Sequence, residues 1–133
     1  MIVVDTNVRV YLLMPGERTE QAERVFRRDL VWVAPLLWRS EFRNVLAVYM
    51  RQALLSLDHA LQLMDRAEIL MQGKEYEVSS GHVLSLVAGT RCPAYDGEFV
   101  ALAQDLGLSL VTSDARLLAE FPATTIAMDL LGV

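Results

Sequence analysis

The sequence predicts an α/β fold: a single domain with a short central parallel sheet flanked by helices on both faces. Its 133 residues suffice for one buried core and leave no room for a second domain. Short apolar runs rich in β-branched residues alternate along the chain with longer segments of helical period. That is the pattern of the right-handed crossovers that build parallel sheets. Two of the runs also end alike: Ile2-Val3-Val4 leads into Asp5-Thr6-Asn7, and Leu108-Ser109-Leu110-Val111-Thr112 leads into Ser113-Asp114. Ligands of open parallel sheets bind in the crevice outside the carboxyl ends of the strands, so both aspartates are expected at one pocket.

The first strand passes at Asp5 into turn and cap formers, and residues 7–14 predict a short helix ended by Pro15-Gly16. Residues 17–30 predict an amphipathic helix with Ala22, Val25 and Phe26 inward and Glu20, Glu23, Arg24, Arg27 and Arg28 toward water. Val31-Trp32-Val33 reads as a second strand. Pro35 suits the first turn of the next helix, where its missing N–H has no partner to lose. That helix, residues 36–51, carries Trp38, Phe42, Val45, Leu46 and Tyr49 at three- and four-residue steps, a stripe facing the core.

Ser56 caps a further helix that packs through Leu57, Ala60, Leu61, Met64, Ala67 and Met71, runs to Gln72 and stops at Gly73. Residues 73–77 read as a polar connection. Ser79 or Ser80 caps a short helix to Ala88, and residues 89–94 form a loop punctuated by Gly and Pro. Asp96 then opens a helix with Phe99, Leu102, Ala103 and Leu106 inward, which Gly107 closes. A strand over 108–112, a helix over 115–121 and a strand over 125–127 complete the chain. Trp32 and Trp38 are expected in the core, His59 on an outer helix face and His82 at a solvated helix start.

Glu41 is the most informative oddity. It lies three residues after Trp38 and four before Val45, so the helix aims its carboxylate inward, where an unpaired charge costs on the order of several kcal/mol. Arg39 and Arg43 project from roughly the opposite face and do not neutralise it. A metal ion is the simplest remaining partner.

Composition narrows the classes. The longest unbroken apolar run, residues 30–38, is far short of the ~20 residues of a membrane-spanning helix. The amino terminus lacks a basic start, and Asp5 interrupts its apolar stretch, unlike a secretory signal. A cytoplasmic protein with no membrane partner is expected. The single cysteine, Cys92, excludes an internal disulfide and thiolate metal clusters. The 53% of hydrophobic residues leaves apolar surface for a partner subunit. A net charge of −5 ordinarily argues against nucleic acid, but divalent cations held by clustered carboxylates would offset most of it. Lys74 is the only lysine. Arginine's planar fork suits bidentate phosphate contact, although a high-GC genome produces the same bias.

The candidate site is therefore Asp5, Glu41, Asp96 and Asp114. Asp96 and Asp114 each precede a helix, and either alone also fits an N-cap, as Asp5 does; Glu41, mid-helix on an apolar stripe, does not. No His or Cys pairing accompanies the four. An oxygen-only ligand set suits Mg²⁺ or Mn²⁺ rather than zinc. Such a cluster can hold one or two ions that activate water and stabilise the leaving oxygen in phosphodiester hydrolysis, so no histidine base is required. Thr6, Asn7 and Thr112 sit beside the carboxylates and are placed to orient them. Glu98 reads as an exposed first-turn acid that at most assists.

With these residues in order, the chain resembles the PIN-domain proteins, and specifically the VapC-type toxins. The resemblance runs over essentially the whole length through Val3-Val4-Asp5-Thr6-Asn7, Ser40-Glu41, residues 95–103 from Tyr95-Asp96-Gly97-Glu98 to Ala103, and Leu110-Val111-Thr112-Ser113-Asp114. It implies a Mg²⁺- or Mn²⁺-dependent ribonuclease acting on single-stranded regions of RNA, with Asp5, Glu41, Asp96 and Asp114 as the metal-binding acids. It also implies a homodimer and a cognate antitoxin whose tail places a basic side chain among the acids, where a cation can replace metal. Gly97 stands where the family often has Ala. Arg9, Arg91 and Arg116 fall on the site side as candidate RNA contacts but match no fixed family pattern.

Two other folds open similarly. A haloacid dehalogenase-like phosphatase needs a second Asp two positions after the first, where this chain has Asn7. A receiver domain needs adjacent acids after its first strand and a late lysine, whereas Lys74 lies in a polar connection. The alternative from another class is a non-catalytic PIN-fold module that binds RNA or protein. The complete set of four acids argues against it.

Overall fold

The computed structural model describes residues 1–131. Along the chain the elements are β1 (Ile2–Val4), α1 (Thr6–Leu13), α2 (Thr19–Arg28), β2 (Trp32–Pro35), α3 (Trp38–Arg51) and α4 (Leu57–Leu70). They continue with β3 (Glu75–Tyr76), α5 (Ser80–Val87), α6 (Ala94–Leu106), β4 (Leu110–Thr112), α7 (Ala115–Glu120), β5 (Thr125–Ala127) and α8 (Met128–Leu131). The five strands form one parallel sheet in the order β3-β2-β1-β4-β5. The chain lays down β1, β2 and β3 in one direction, and α5 and α6 then carry it back across β1 to place β4 and β5. The order thus reverses between β1 and β4, and the crevice at their carboxyl ends is where such sheets bind ligands.

Helices cover both faces, and the two-residue period of the strands decides which side chain meets which layer. Val3, Val33 and Leu110 share one core with Trp38, Phe42, Leu46, Phe99 and Leu102. Their strand neighbours Ile2, Val4, Trp32 and Val111 share the opposite core with Val8, Ala22, Val25 and Met128. Central strands buried on both sides must be apolar at every position, which is why β1 shows no alternation. Both tryptophans are buried, as expected.

Several expectations are corrected. Residues 73–77 are not merely a polar connection: Glu75 and Tyr76 form β3 beside Ala34 and Pro35. The pairing is made by main chain alone, Ala34 N–H to the Lys74 carbonyl and Leu36 N–H to the Tyr76 carbonyl, each 3.1 Å, so two polar-flanked residues gave no periodic signal. Pro35 closes β2 instead of opening α3. Since Ala34 and Leu36 donate toward β3, the N–H that proline lacks would point to the side where β1 has already ended. Asp96 sits in the first turn of α6, which begins two residues earlier with Pro93 at the cap. Helix α2 is shorter at both ends than residues 17–30, and α8 was not anticipated. Among the described residues, no helix is long and apolar enough to cross a membrane.

Candidate active site

Four elements deliver one carboxylate each to the crevice. Asp5 follows β1 as the N-cap of α1, in extended backbone. Asp114 follows β4 as the N-cap of α7, accepting from the Arg116 N–H at 2.8 Å and the Leu117 N–H at 3.4 Å. Asp96 comes from the first turn of α6 and Glu41 from the first turn of α3. All four line one cleft of about 530 Å³. The capping and functional readings are compatible: the Asp114 cap uses Oδ1 and leaves Oδ2, and the Asp5 oxygens each accept one hydrogen bond and keep a second lone pair.

The threonines hold the acids in place. Thr6 donates its backbone N–H to Asp5 Oδ1 at 2.8 Å and its hydroxyl to Glu41 Oε1 at 2.7 Å. Thr112 donates its hydroxyl to Asp5 Oδ2 at 2.8 Å, while Thr112 Oγ1 itself accepts the Asp114 N–H at 3.0 Å. Asp5 is thereby fixed from both sides, and Thr6 ties α1 to α3. Asn7 is exposed and lines the cleft without a hydrogen bond to the acids.

Electrostatically the cleft is under-compensated. Burial pushes the Asp5 carboxyl up from its ordinary value, with the Asp114 charge adding to the rise and the Thr112 and Thr6 hydrogen bonds opposing it. Burial does the same to Glu41, reinforced by the charges of Asp5, Asp96 and Glu98. Asp96 is raised by burial and then by Asp5 and Asp114, with Arg116 pulling the other way. The only ion pair to these four acids among the described residues joins Arg116 Nη2 to Asp96 Oδ2 at 3.4 Å, with the arginine half exposed.

The donor set fits a hard divalent cation. It is all oxygen, and among the described residues Glu41 Oε2, Asp96 Oδ1 and Asp114 Oδ2 accept no hydrogen bond. The fit is one of chemistry and not of spacing: the acids stand around the walls, and among the described residues no three acidic, His or Cys side chains are placed close enough together to hold an ion between them.

Other candidates divide. Arg116 borders the site. Arg91 is exposed but does not line the cleft, and Arg9 is corrected outright: it is 2% exposed and cannot touch RNA. Glu98 is partly buried and lines a separate hollow beside α5. Sequence reasoning passed over Ser40, Asn44 and Tyr95 as cleft residues. Asn44 lies three residues after Glu41 on the same helix, so helical spacing alone points to it. Tyr95, 64% exposed at the rim, has only its adjacency to Asp96 as a signal.

Comparison with known proteins bears on the family and the fold. A family profile described as PIN domain matches residues 2–122. Ribonuclease VapC3 of Pyrobaculum aerophilum is 33% identical over 135 aligned positions, covering 92% of this chain and 95% of the relative. Among solved structures, the crystal structure of FitAcB from Neisseria gonorrhoeae superposes with a TM-score of 0.73 at 21% identity, over 96% of this chain and 98% of that one. A structure of FitAB bound to an IR36 DNA fragment gives 0.72 at 20%, over 96% and 95%. At such identities the two structures speak for the fold, and the profile and the curated relative speak for descent. The chain belongs to the PIN domain family, and within it to the VapC-type proteins.

Proposed function

We propose that the protein is a Mg²⁺- or Mn²⁺-dependent endoribonuclease of the cytoplasm, hydrolysing phosphodiester bonds in single-stranded regions of RNA. It acts as the toxin of a VapBC-type pair, as a homodimer restrained by a cognate antitoxin. The observation that carries this reading is the convergence of Asp5, Glu41, Asp96 and Asp114 from four elements on one cleft with too little positive charge to balance them. The relative's name, Ribonuclease VapC3, supports the substrate class.

Asp5, Glu41, Asp96 and Asp114 would hold the cation. When bound, it supplies positive charge to the phosphate and acidifies water. The chain's own part is to fix the acids: Thr6 and Thr112 lock Asp5, and Thr6 sets the Glu41 carboxylate. Burial and mutual repulsion raise Glu41 and Asp96 in the metal-free protein, a cost that a bound cation would relieve.

Single-stranded substrate is supported by the other residues of the cleft. Asn7, Ser40 and Asn44 offer exposed neutral hydrogen-bonding groups, and Tyr95 has no aromatic partner among the described residues, so its face is free for an unstacked base. The cleft's negative charge also suits a basic antitoxin side chain. Exposed Leu54, Leu57 and Leu61 give the α4 end an apolar surface for a second copy.

Purified protein is expected to cut RNA with Mg²⁺ or Mn²⁺ and to stop with EDTA. Cleavage that survives both EDTA and Asp5→Asn would refute the proposal. Absence of Mn²⁺ binding by calorimetry would favour the non-catalytic module.

A further inference from the structure

Arg9 is the most anomalous side chain in the molecule. It is 2% exposed in a helix packed against the sheet, yet among the described residues no carboxylate forms a direct ion pair with it. Its Nη1 donates to the Val4 carbonyl at a long 3.3 Å, and among the described residues Nη2 has no hydrogen-bond acceptor. The guanidinium lies over the indole of Trp38, 5.4 Å from the ring centre. A buried, incompletely bonded guanidinium is costly, and apolar replacements of buried charges are often tolerated or stabilising. Simple packing therefore does not account for an arginine here.

Its surroundings do. Burial lowers the Arg9 guanidinium to about 10, and the charges of Asp5, Glu41 and Glu75 oppose that fall. Its Nη1 meets the carbonyl of Val4, the residue before Asp5. Arg9 is thus a buried cation behind the Asp5 end of the cleft, in a place solvent and salt screen poorly. Being arginine, it keeps its charge at any working pH.

We propose that Arg9 is a positioning residue, a permanent internal counter-charge that holds Asp5 in place while no metal is bound and thereby limits how tightly the cleft takes a divalent cation. The second half rests on the reading of the cleft as a cation site; the first does not. The same positive charge that stabilises the empty cleft opposes an incoming cation, so the two effects share one origin.

The test has two arms. In metal-free protein, a double-mutant cycle by urea denaturation compares Arg9→Met in the wild-type and Asp5→Asn backgrounds. Arg9→Met should lower the midpoint in the first and lower it distinctly less in the second, while Arg9→Lys, which keeps the charge, stays close to wild type. If Arg9→Met alone does not fold, the double variant must fold. Strict additivity, or failure of both to fold, overturns the proposal. In the second arm Mn²⁺ alone is titrated calorimetrically: Arg9→Met should bind at least about fivefold more tightly than wild type, and Arg9→Lys should not. Equal Mn²⁺ affinity in Arg9→Met and wild type overturns the limit on metal affinity. If no variant binds Mn²⁺, the cation-site reading fails, and the denaturation cycle still decides the counter-charge.

Discussion

Glu41 and Glu75 are the same side chain in opposite circumstances. Glu75 accepts from Trp38 Nε1 at 2.8 Å and from Arg39 through both Nε and Nη2, the latter at 2.7 Å. The Arg39 hydrogen bonds hold its carboxyl below the ordinary glutamate value, against a smaller opposing effect of burial. Glu41 accepts one hydrogen bond, from a neutral hydroxyl, and burial and three neighbouring anions hold it above that value. The fold has completed one carboxylate and left the other unfinished. Charge that a chain declines to neutralise internally is charge available to something arriving from outside, and this separates a structural acid from a functional one.

The comparison breaks most decisively in activity. Glu41→Gln should reduce RNA cleavage at least about a hundredfold while keeping its Thr6 contact and its fold, whereas Glu75→Gln should leave cleavage near wild type. Equal loss in both would erase the distinction. Stability should run the other way. In metal-free urea titrations Glu75→Gln is expected to lose about 1 kcal/mol, since its charged hydrogen bonds lie near solvent, and Glu41→Gln to lose nothing or gain slightly.

Metal sharpens the contrast next. Excess Mn²⁺ should raise the thermal midpoint of wild type and Glu75→Gln, by about 2.7 kcal/mol of stabilisation at a hundred times Kd, and EDTA should reverse it. Glu41→Gln should respond far less.

The pH dependence gives a smaller effect of opposite sign at the two sites. Asp5, Glu41 and Asp96 have folded values above their unfolded ones, so the folded state binds extra protons. The contribution of these three groups to metal-free stability is therefore fully present below the unfolded values of 3.8 and 4.5 and is lost as pH rises through the higher folded values. Glu75 has the lower folded value, so its contribution is present above 4.5 and is lost as pH falls through that lower value. Urea midpoints against pH should lose part of the downward slope in Glu41→Gln and part of the acid-side loss in Glu75→Gln. The smallest effect belongs to Arg39→Gln, which should lower the midpoint slightly through the partly exposed Glu75 pair and leave cleavage unchanged.

Much of this was written in the sequence where local rules and tertiary structure agree. The strand-then-aspartate pattern at both ends of the chain found Asp5 and Asp114, and helical period alone turned Glu41 inward. What failed has physical reasons. Strand β3 is two residues held by main-chain bonds to its neighbour, so its side chains carry no period. Arg9 was read as a surface arginine because arginine usually is one, but α1 is buried at Thr6, Val8, Arg9, Val10 and Leu13, on more than one face. The Arg39–Glu75 pair joins residues 36 apart and has no local signature. Asp96 was found as an acid but misplaced at the helix start, because the Pro93 cap donates no side-chain signal.

The claim on which the account depends is that the four-acid cleft is a cation site. Crystals soaked in Mn²⁺ and measured for anomalous scattering test it directly. The account predicts a peak in the cleft within coordination distance of Asp5, with Glu41, Asp96 or Asp114 completing the shell. A Mn²⁺ peak only outside the cleft, or no peak in crystals whose protein still cuts RNA, would contradict it.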